Sequence, residues 1–437
     1  MRSTCLLLCA SSSASGGGME ALRVFAAAVI VVGFGLLATT AVFSRLQRNR
    51  FVAALIAGGL PAVATGWAIG PGGLNVVDDS TVLLLRPLLV ACLGWVGVIV
   101  GMQLRASLLA TVPPLLWRWA LTDSVLSAAI AGTGAAAVLS WWFLPGSFGI
   151  ETALVPTTLV ACAAMGWSPE TRSMRVVLTP STQQMAMLIQ GASGIAAAVA
   201  VAVLGVAAQL IRLQPDGTPV LDLRTAVVDL ALTAATAAAL GVAARHLLGL
   251  ARRKRGALLV VFLGTVAAAA GIAVDLGFSP LLLPLLCGVM IANFGRERLA
   301  SFELFIMRAE HVVALLLGLL AGVLLTPRIG LPGTGLVVAI LAARILVKPV
   351  LARRTLGPVT HGDANRSPLR FAPLRQSQLS YVLAVSVVLA YDAPLTRTVL
   401  TAIVFAGAAS DAVPLILGFR RHREVAQERR SVAGAEA

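Results

Sequence analysis

The chain has 437 residues, 58% of them hydrophobic and 12% charged, with 34 Lys and Arg against 19 Asp and Glu for a net charge of +15. A soluble domain carries about 25% charged residues, so a water-soluble globule and a disordered chain are both excluded. The five cysteines show no paired spacing, which excludes a disulfide scaffold. The excess of positive charge reads as cytoplasmic loop charge of a membrane protein rather than a nucleic-acid surface.

Met1 to Gly18 contains only a short apolar run around Leu6 to Leu8, below the roughly 7–15 residues of a signal-peptide core. Residues 1–20 are read as a disordered tail, with Met19 as an alternative start. Apolar runs bounded by charge or Gly/Pro punctuation then place thirteen spans at about 21–43, 51–70, 82–103, 117–143, 150–168, 183–211, 224–249, 256–275, 279–294, 306–327, 330–352, 373–391 and 395–418. Residues 21–418 are therefore expected to form one polytopic all-α transporter domain, and 419–437 a basic cytoplasmic tail. Odd-numbered loops and the tail hold 21 Lys and Arg, the even-numbered loops only four. This asymmetry predicts a multi-pass protein of the cell (inner) membrane with its N-terminus outside and its C-terminus cytoplasmic.

The spans are rich in Ala, Gly, Val and Leu, as in "GIAAAVAVAVLGVAA" from Gly194, and small residues let membrane helices approach closely. No large soluble module fits between them. The four histidines lie far apart, and no G-x-S-x-G, H-E-x-x-H or Walker A motif occurs. An enzyme, a metal centre and a bound cofactor are not expected; a secondary transporter is. An offset of seven pairs span 5 with span 12, span 6 with span 13 and span 2 with span 9, as in inverted repeats with helices broken at mid-membrane. Span 5 carries Pro156-Thr157-Thr158 at its middle, and span 12 opens on Arg375-Gln376-Ser377-Gln378 and continues through Ser380 and Tyr381. Both stretches, Gln376 to Ser380 in the second case, are predicted to be non-helical or crossing.

The segments "AIGPGGLNVVDD" from Ala68, "LGWVGVIVGMQLR" from Leu93, "GFSPLLLPLLCGVMIAN" from Gly277, "LLLGLLAGVLL" from Leu315 and "AARILVKPVLARR" from Ala342 follow one another along the chain. Together they resemble the monovalent cation:proton antiporter-2 superfamily. Each is apolar and weak alone, but their shared order extends the resemblance over about Ala54 to Arg421. It implies a homodimeric secondary transporter exchanging monovalent cations (Na⁺ or K⁺) for protons by alternating access. A core of about 117–211 and 330–418 would move against a dimer-forming domain.

The resemblance also implies an acidic pair in span 6 and a basic partner on span 11. Here no acid occurs from Thr171 to Gln214, and Gln190 and Gly191 stand where the pair is expected. Gln190 offers an amide oxygen but cannot titrate. The ion-site region is expected to comprise Pro156, Thr157, Thr158, Gln190, Gly191, Ser193, Gln376, Ser377 and Gln378, with Arg344 and Lys348 as basic partners. Proton coupling then needs another intramembrane acid among Asp123, Asp229, Asp275, Glu310 and Asp411. Asp411 is the candidate proton carrier, because it lies well inside its span from both ends and an isolated charge there needs a partner, Arg344 being the expected one. The alternative is an antiporter fold without the span 6 acid, acting as an uncoupled transporter, channel or sensor.

Overall fold

The computed structural model describes residues 59–110, 112–142, 150–167, 180–213, 219–251, 255–294, 300–326, 329–356, 374–391 and 393–412, together with Gly33. Every predicted span from the second onward meets a helix. In order these are α1 (Leu60–Ile69), α2 (Asp79–Gln103), a one-turn α3 (Ala106–Leu109), α4 (Pro114–Trp142), α5 (Ile150–Met165) and α6 (Pro180–Leu210). Then follow α7 (Leu223–Ala251), α8 (Arg255–Asp275), α9 (Leu282–Phe294), α10 (Ala300–Val323), α11 (Leu331–Leu356), α12 (Leu379–Ala390) and a helical stretch over 394–412. The first predicted span lies outside the described residues except for the helical Gly33, as do both predicted tails. Six of the described helices are long and apolar enough to cross a membrane, and the chain is a multi-pass membrane protein.

Helix ends follow local chemistry. Asp78 caps α2, its carboxylate accepting from the Thr81 N–H at 2.9 Å and from the Ser80 and Thr81 hydroxyls. These three donors hold its carboxyl below the usual carboxylate range, at about 2. Between α6 and α7 the chain makes a small hairpin that the hydropathy pattern does not announce. Strand β1 (Ile211–Leu213) pairs antiparallel with β2 (Pro219–Leu221), and Asp222 then caps α7 by accepting from the Thr225 N–H at 3.1 Å.

The packing obeys the seven-span offset. α1 crosses α10, and α2 crosses α9; the two crossings are repeat mates, span 2 against 10 and span 9 against 3. Both are made by glycine. A Cβ on Gly66 would lie 1.8 Å from the Leu319 carbonyl oxygen, and one on Gly322 2.0 Å from that of Val63. At the other crossing, a Cβ on Gly101 would lie 2.0 Å from the Leu285 oxygen and one on Gly288 2.2 Å from that of Val98. Backbones in van der Waals contact replace the water expulsion that holds soluble helices together. α4 packs along α5 and α11, and α12 packs against α5 and α10, which assembles the core around one crossing point.

Candidate ion site at the crossing of the broken helices

α5 ends at Met165, and the chain passes through Gly166 to Trp167, which forms an isolated antiparallel bridge with Gln376. On the partner side 375–378 is non-helical, and α12 begins at Leu379. The two breaks therefore face each other, as the repeat predicts, but one of them is displaced. α5 runs unbroken through Pro156. The Thr157 hydroxyl donates to the Ala153 and Leu154 carbonyls at 2.7 and 3.0 Å, holding the turn that the proline weakens. Pro156, Thr157 and Thr158 are thus helical and away from the break. In α12 the expected non-helical stretch is confined to Gln376, Ser377 and Gln378, with Ser380 already helical.

Arg344, fully buried on α11, spans both breaks. Its Nη1 donates to the carbonyls of Ala163, Ala164 and Gly166 at 3.1, 3.3 and 2.9 Å. Its Nη2 donates to Arg375 O at 2.7 Å and its Nε to Leu374 O at 3.3 Å. The last carbonyls of a helix have no intrahelical donor and carry partial negative charge, so one guanidinium satisfies the end of α5 and the approach to α12 together. The expected Arg344–Asp411 pair does not form. Arg344 binds carbonyls because its planar fork matches several oxygens at once.

Lys348, one turn further along α11, donates from Nζ to Asp123 Oδ2 on α4 at 2.7 Å and to the Met165 carbonyl at 3.2 Å. Both side chains are shut off from solvent, at 0% and 1% exposure. Asp411, also buried, accepts from the Gln376 N–H at 3.2 Å through Oδ1. Among the described residues its Oδ2 has no hydrogen-bond partner, and neither do Gln376 Oε1 and Tyr381 Oη. These atoms gather on one turn of the 394–412 helix. A Cβ on Gly407 would lie 2.4 Å from Tyr381 Oη and 3.3 Å from Gln376 Cδ. Arg375 and Arg344 act on Asp411 electrostatically.

Gln376, Ser377, Gln378, Arg344, Lys348 and Asp411 are thus brought to or beside the crossing. Ser377 turns its Oγ to the Leu379 N–H at 3.2 Å, and Gln378 packs on Gly59. Gly191 is directed elsewhere, since a Cβ there would meet only Val112 Cγ2 at 3.6 Å. Ser193 is half-buried on the same helix, and the Gln190 side chain lies outside the described residues. α6 meets the crossing instead through Ala192, Ile195 and Ala196, which share a buried cluster with Trp119 and Trp167. Those two indoles lie 5.1 Å apart and close the crossing towards the N-terminal end of α4. The role of Trp167 and the partner of Asp123 are the features that sequence reasoning missed. Gly166 and Pro169, one on either side of Trp167-Ser168, were the available break signal.

The described residues thus form a helical membrane domain in which the end of α5 faces the approach to α12, with a guanidinium between them and buried carboxylates alongside. Among solved structures the chain is similar to the sodium proton antiporter MjNhaP1 from Methanocaldococcus jannaschii at pH 8. The TM-score is 0.61 at 14% identity, over 90% of this chain and 96% of that one. An electron-microscopy structure of the same antiporter gives 0.51 at 16% identity, over 89% and 95%. No family model and no curated protein sequence matches the chain.

Proposed function

We propose that the protein is a secondary transporter of the cation:proton antiporter type, exchanging a monovalent cation for protons by alternating access around the α5–α12 crossing. The observation that carries this reading is Asp411. It is a buried carboxylate with one oxygen on the broken helix's own N–H and the other without a partner among the described residues. A carboxylate held in that way changes its hold on the break when it gains or loses a proton, which links protonation to the geometry of the crossing. Asp411 takes the role that no residue of span 6 can fill. The cell membrane, a homodimer and a cytoplasmic C-terminus belong to the same reading, supported by the loop charge asymmetry and the antiporter fold.

The test is proton flux in reconstituted vesicles on jumps of Na⁺ or K⁺. Cation-driven flux that is abolished by Asp411→Asn, with the protein still folded, is the expected result. Flux unchanged in Asp411→Asn removes Asp411 from the role. One observation favours a second reading: the stretch from Thr171 to Gln214 has no acid. An uncoupled transporter, channel or sensor would give cation permeation, or none, without proton movement in the same vesicles.

A further inference from the structure

Not every arginine of the chain sits in a loop. Arg118 lies near the start of α4, and Arg353 and Arg354 occupy the last turn of α11. All three are exposed, and none of the three guanidinium groups has a hydrogen-bond or ion-pair partner among the described residues. The carboxylate that α4 carries, Asp123, is buried and held by Lys348. The two helix ends are neighbours. α4 packs along α11, and Ala352 shares one buried cluster with Leu116 and Ala120, with Leu351 and Trp117 packed against it. The arginines also continue apolar stripes. Arg118 precedes the exposed Leu121 by three residues and the exposed Val125 by seven. Arg353 and Arg354 follow the exposed Val350 by three and four, with the exposed Leu346 one turn earlier. Residues at these spacings share one helix face. Exposed apolar side chains on membrane helices face acyl chains, so each stripe runs from acyl-chain depth into positive charge at the helix end. Trp117, next to Arg118, donates from its indole Nε1 to Leu109 O at 3.3 Å, and tryptophan gathers at the headgroup level of a bilayer.

We infer that the paired ends of α4 and α11 form a binding site for an anionic phospholipid. Its phosphate is held by Arg118, Arg353 and Arg354, and its acyl chains lie along the faces of Leu121 and Val125 and of Leu346 and Val350. The site is outside the crossing and does not rest on the transport reading. A phosphodiester suits these residues because the guanidinium fork pairs with two phosphate oxygens at once. Three neighbouring positive charges with no carboxylate among them repel one another, and a zwitterionic headgroup brings no net charge to offset them. An anionic headgroup does, and basic clusters at the membrane edge of helices recognise such lipids. A soluble anion would balance the charge but leave both apolar stripes unused. α11 is also the helix whose Arg344 and Lys348 hold the crossing, so the lipid anchors the end of the element that ties the two breaks.

The experiment is native mass spectrometry of the purified full-length protein titrated with phosphatidylglycerol or with phosphatidylcholine. The wild type is expected to retain phosphatidylglycerol in preference. Each of Arg118→Gln, Arg353→Gln and Arg354→Gln should weaken that lipid about fivefold and leave phosphatidylcholine unchanged. Melting temperatures in detergent without added lipid should equal the wild type's, because the replaced guanidinium groups make no bond among the described residues. Arg245, exposed on α7, a helix that packs on α8 and α9, is the control for bulk charge, and Arg245→Gln should alter the binding of neither lipid. Wild-type protein that holds the two lipids equally, or arginine variants that hold phosphatidylglycerol as tightly as the wild type, overturns the site. A loss of the same size in Arg245→Gln reduces the effect to overall charge and overturns it as well. Thermal stabilisation by inorganic phosphate equal to that by phosphatidylglycerol, and lost in the same three variants, assigns the arginines to a soluble anion and likewise overturns the lipid.

Discussion

Lys348 on α11 donates to Asp123 on α4 at 2.7 Å with both side chains out of reach of solvent, so two helices far apart in sequence meet through one buried ion pair. Removing one member of such a pair leaves an uncompensated charge, which costs about 3–5 kcal/mol. Asp123→Asn should therefore lower the melting temperature sharply, as followed by fluorescence-detected chromatography of heated protein. Asp123→Leu combined with Lys348→Met should recover most of the loss, because an apolar pair of similar volume avoids the desolvation. A double variant as unstable as the single one would show that the charges themselves are required for folding.

Arg344 should not tolerate replacement by lysine. A lysine ammonium has three donors at a single point and cannot serve the α5 carbonyls and those of Leu374 and Arg375 together. Arg344→Lys is expected to strand two or more buried carbonyls, at about 1–3 kcal/mol each. The loss should be read from the same thermal assay, and a melting temperature equal to the wild type's counts against the bridging role.

The glycine crossings predict a sharp division among alanine variants. Gly66→Ala and Gly101→Ala place a methyl group about where a carbonyl oxygen now sits, at 1.8 and 2.0 Å, and should abolish accumulation of folded protein. Gly264 and Gly271 on α8 have nothing within 4 Å of such a Cβ. Alanine there should be neutral or stabilising by up to about 1 kcal/mol, since glycine is the poorer helix former. Expression with size-exclusion profiles separates the two classes.

Asp78 predicts an acid limb of stability. Its folded pKa is lowered from the ordinary 3.8 to about 2 by the Thr81 and Ser80 hydroxyls and the Thr81 N–H. The contribution is therefore present above about 3.8 and is lost as pH falls towards 2. The half-buried carboxylate is screened by solvent at the helix end, so the effect is small. Asp78→Asn should flatten the stability profile in that window, and Asp78→Ala should cost about 1 kcal/mol near neutral pH through loss of the cap. Melting curves taken from pH 5 to 2 distinguish the three proteins.

Helix positions were legible because an apolar run of membrane length leaves the backbone only one way to satisfy itself, and the short α1 and α9 announced themselves by Gly and Pro. The α12 break was legible too, since Arg375-Gln376-Ser377-Gln378 is too polar for a continuous span. The α5 break was misplaced because Pro156 is a louder signal than Gly166. Yet a proline in a membrane helix is held when a hydroxyl such as Thr157 supports the turn. The Asp123–Lys348 pair was not legible. Nothing in a linear sequence says which of five acids a buried lysine will meet, and the choice of Asp123 follows from α4 packing along α11. The hairpin after α6 was hidden because its paired strands are only three residues long, too short to set up a hydropathy pattern.

The guanidinium of Arg344 sits in the second half of the repeat and is bonded to both halves: three carbonyls from the end of α5 and two from the approach to α12. Prying the halves apart by even an ångström would leave some of those oxygens without a donor in a medium that supplies none. The two breaks therefore cannot open in turn. The alternating access proposed above would have to carry both ends and the middle of α11 as a single piece of cargo.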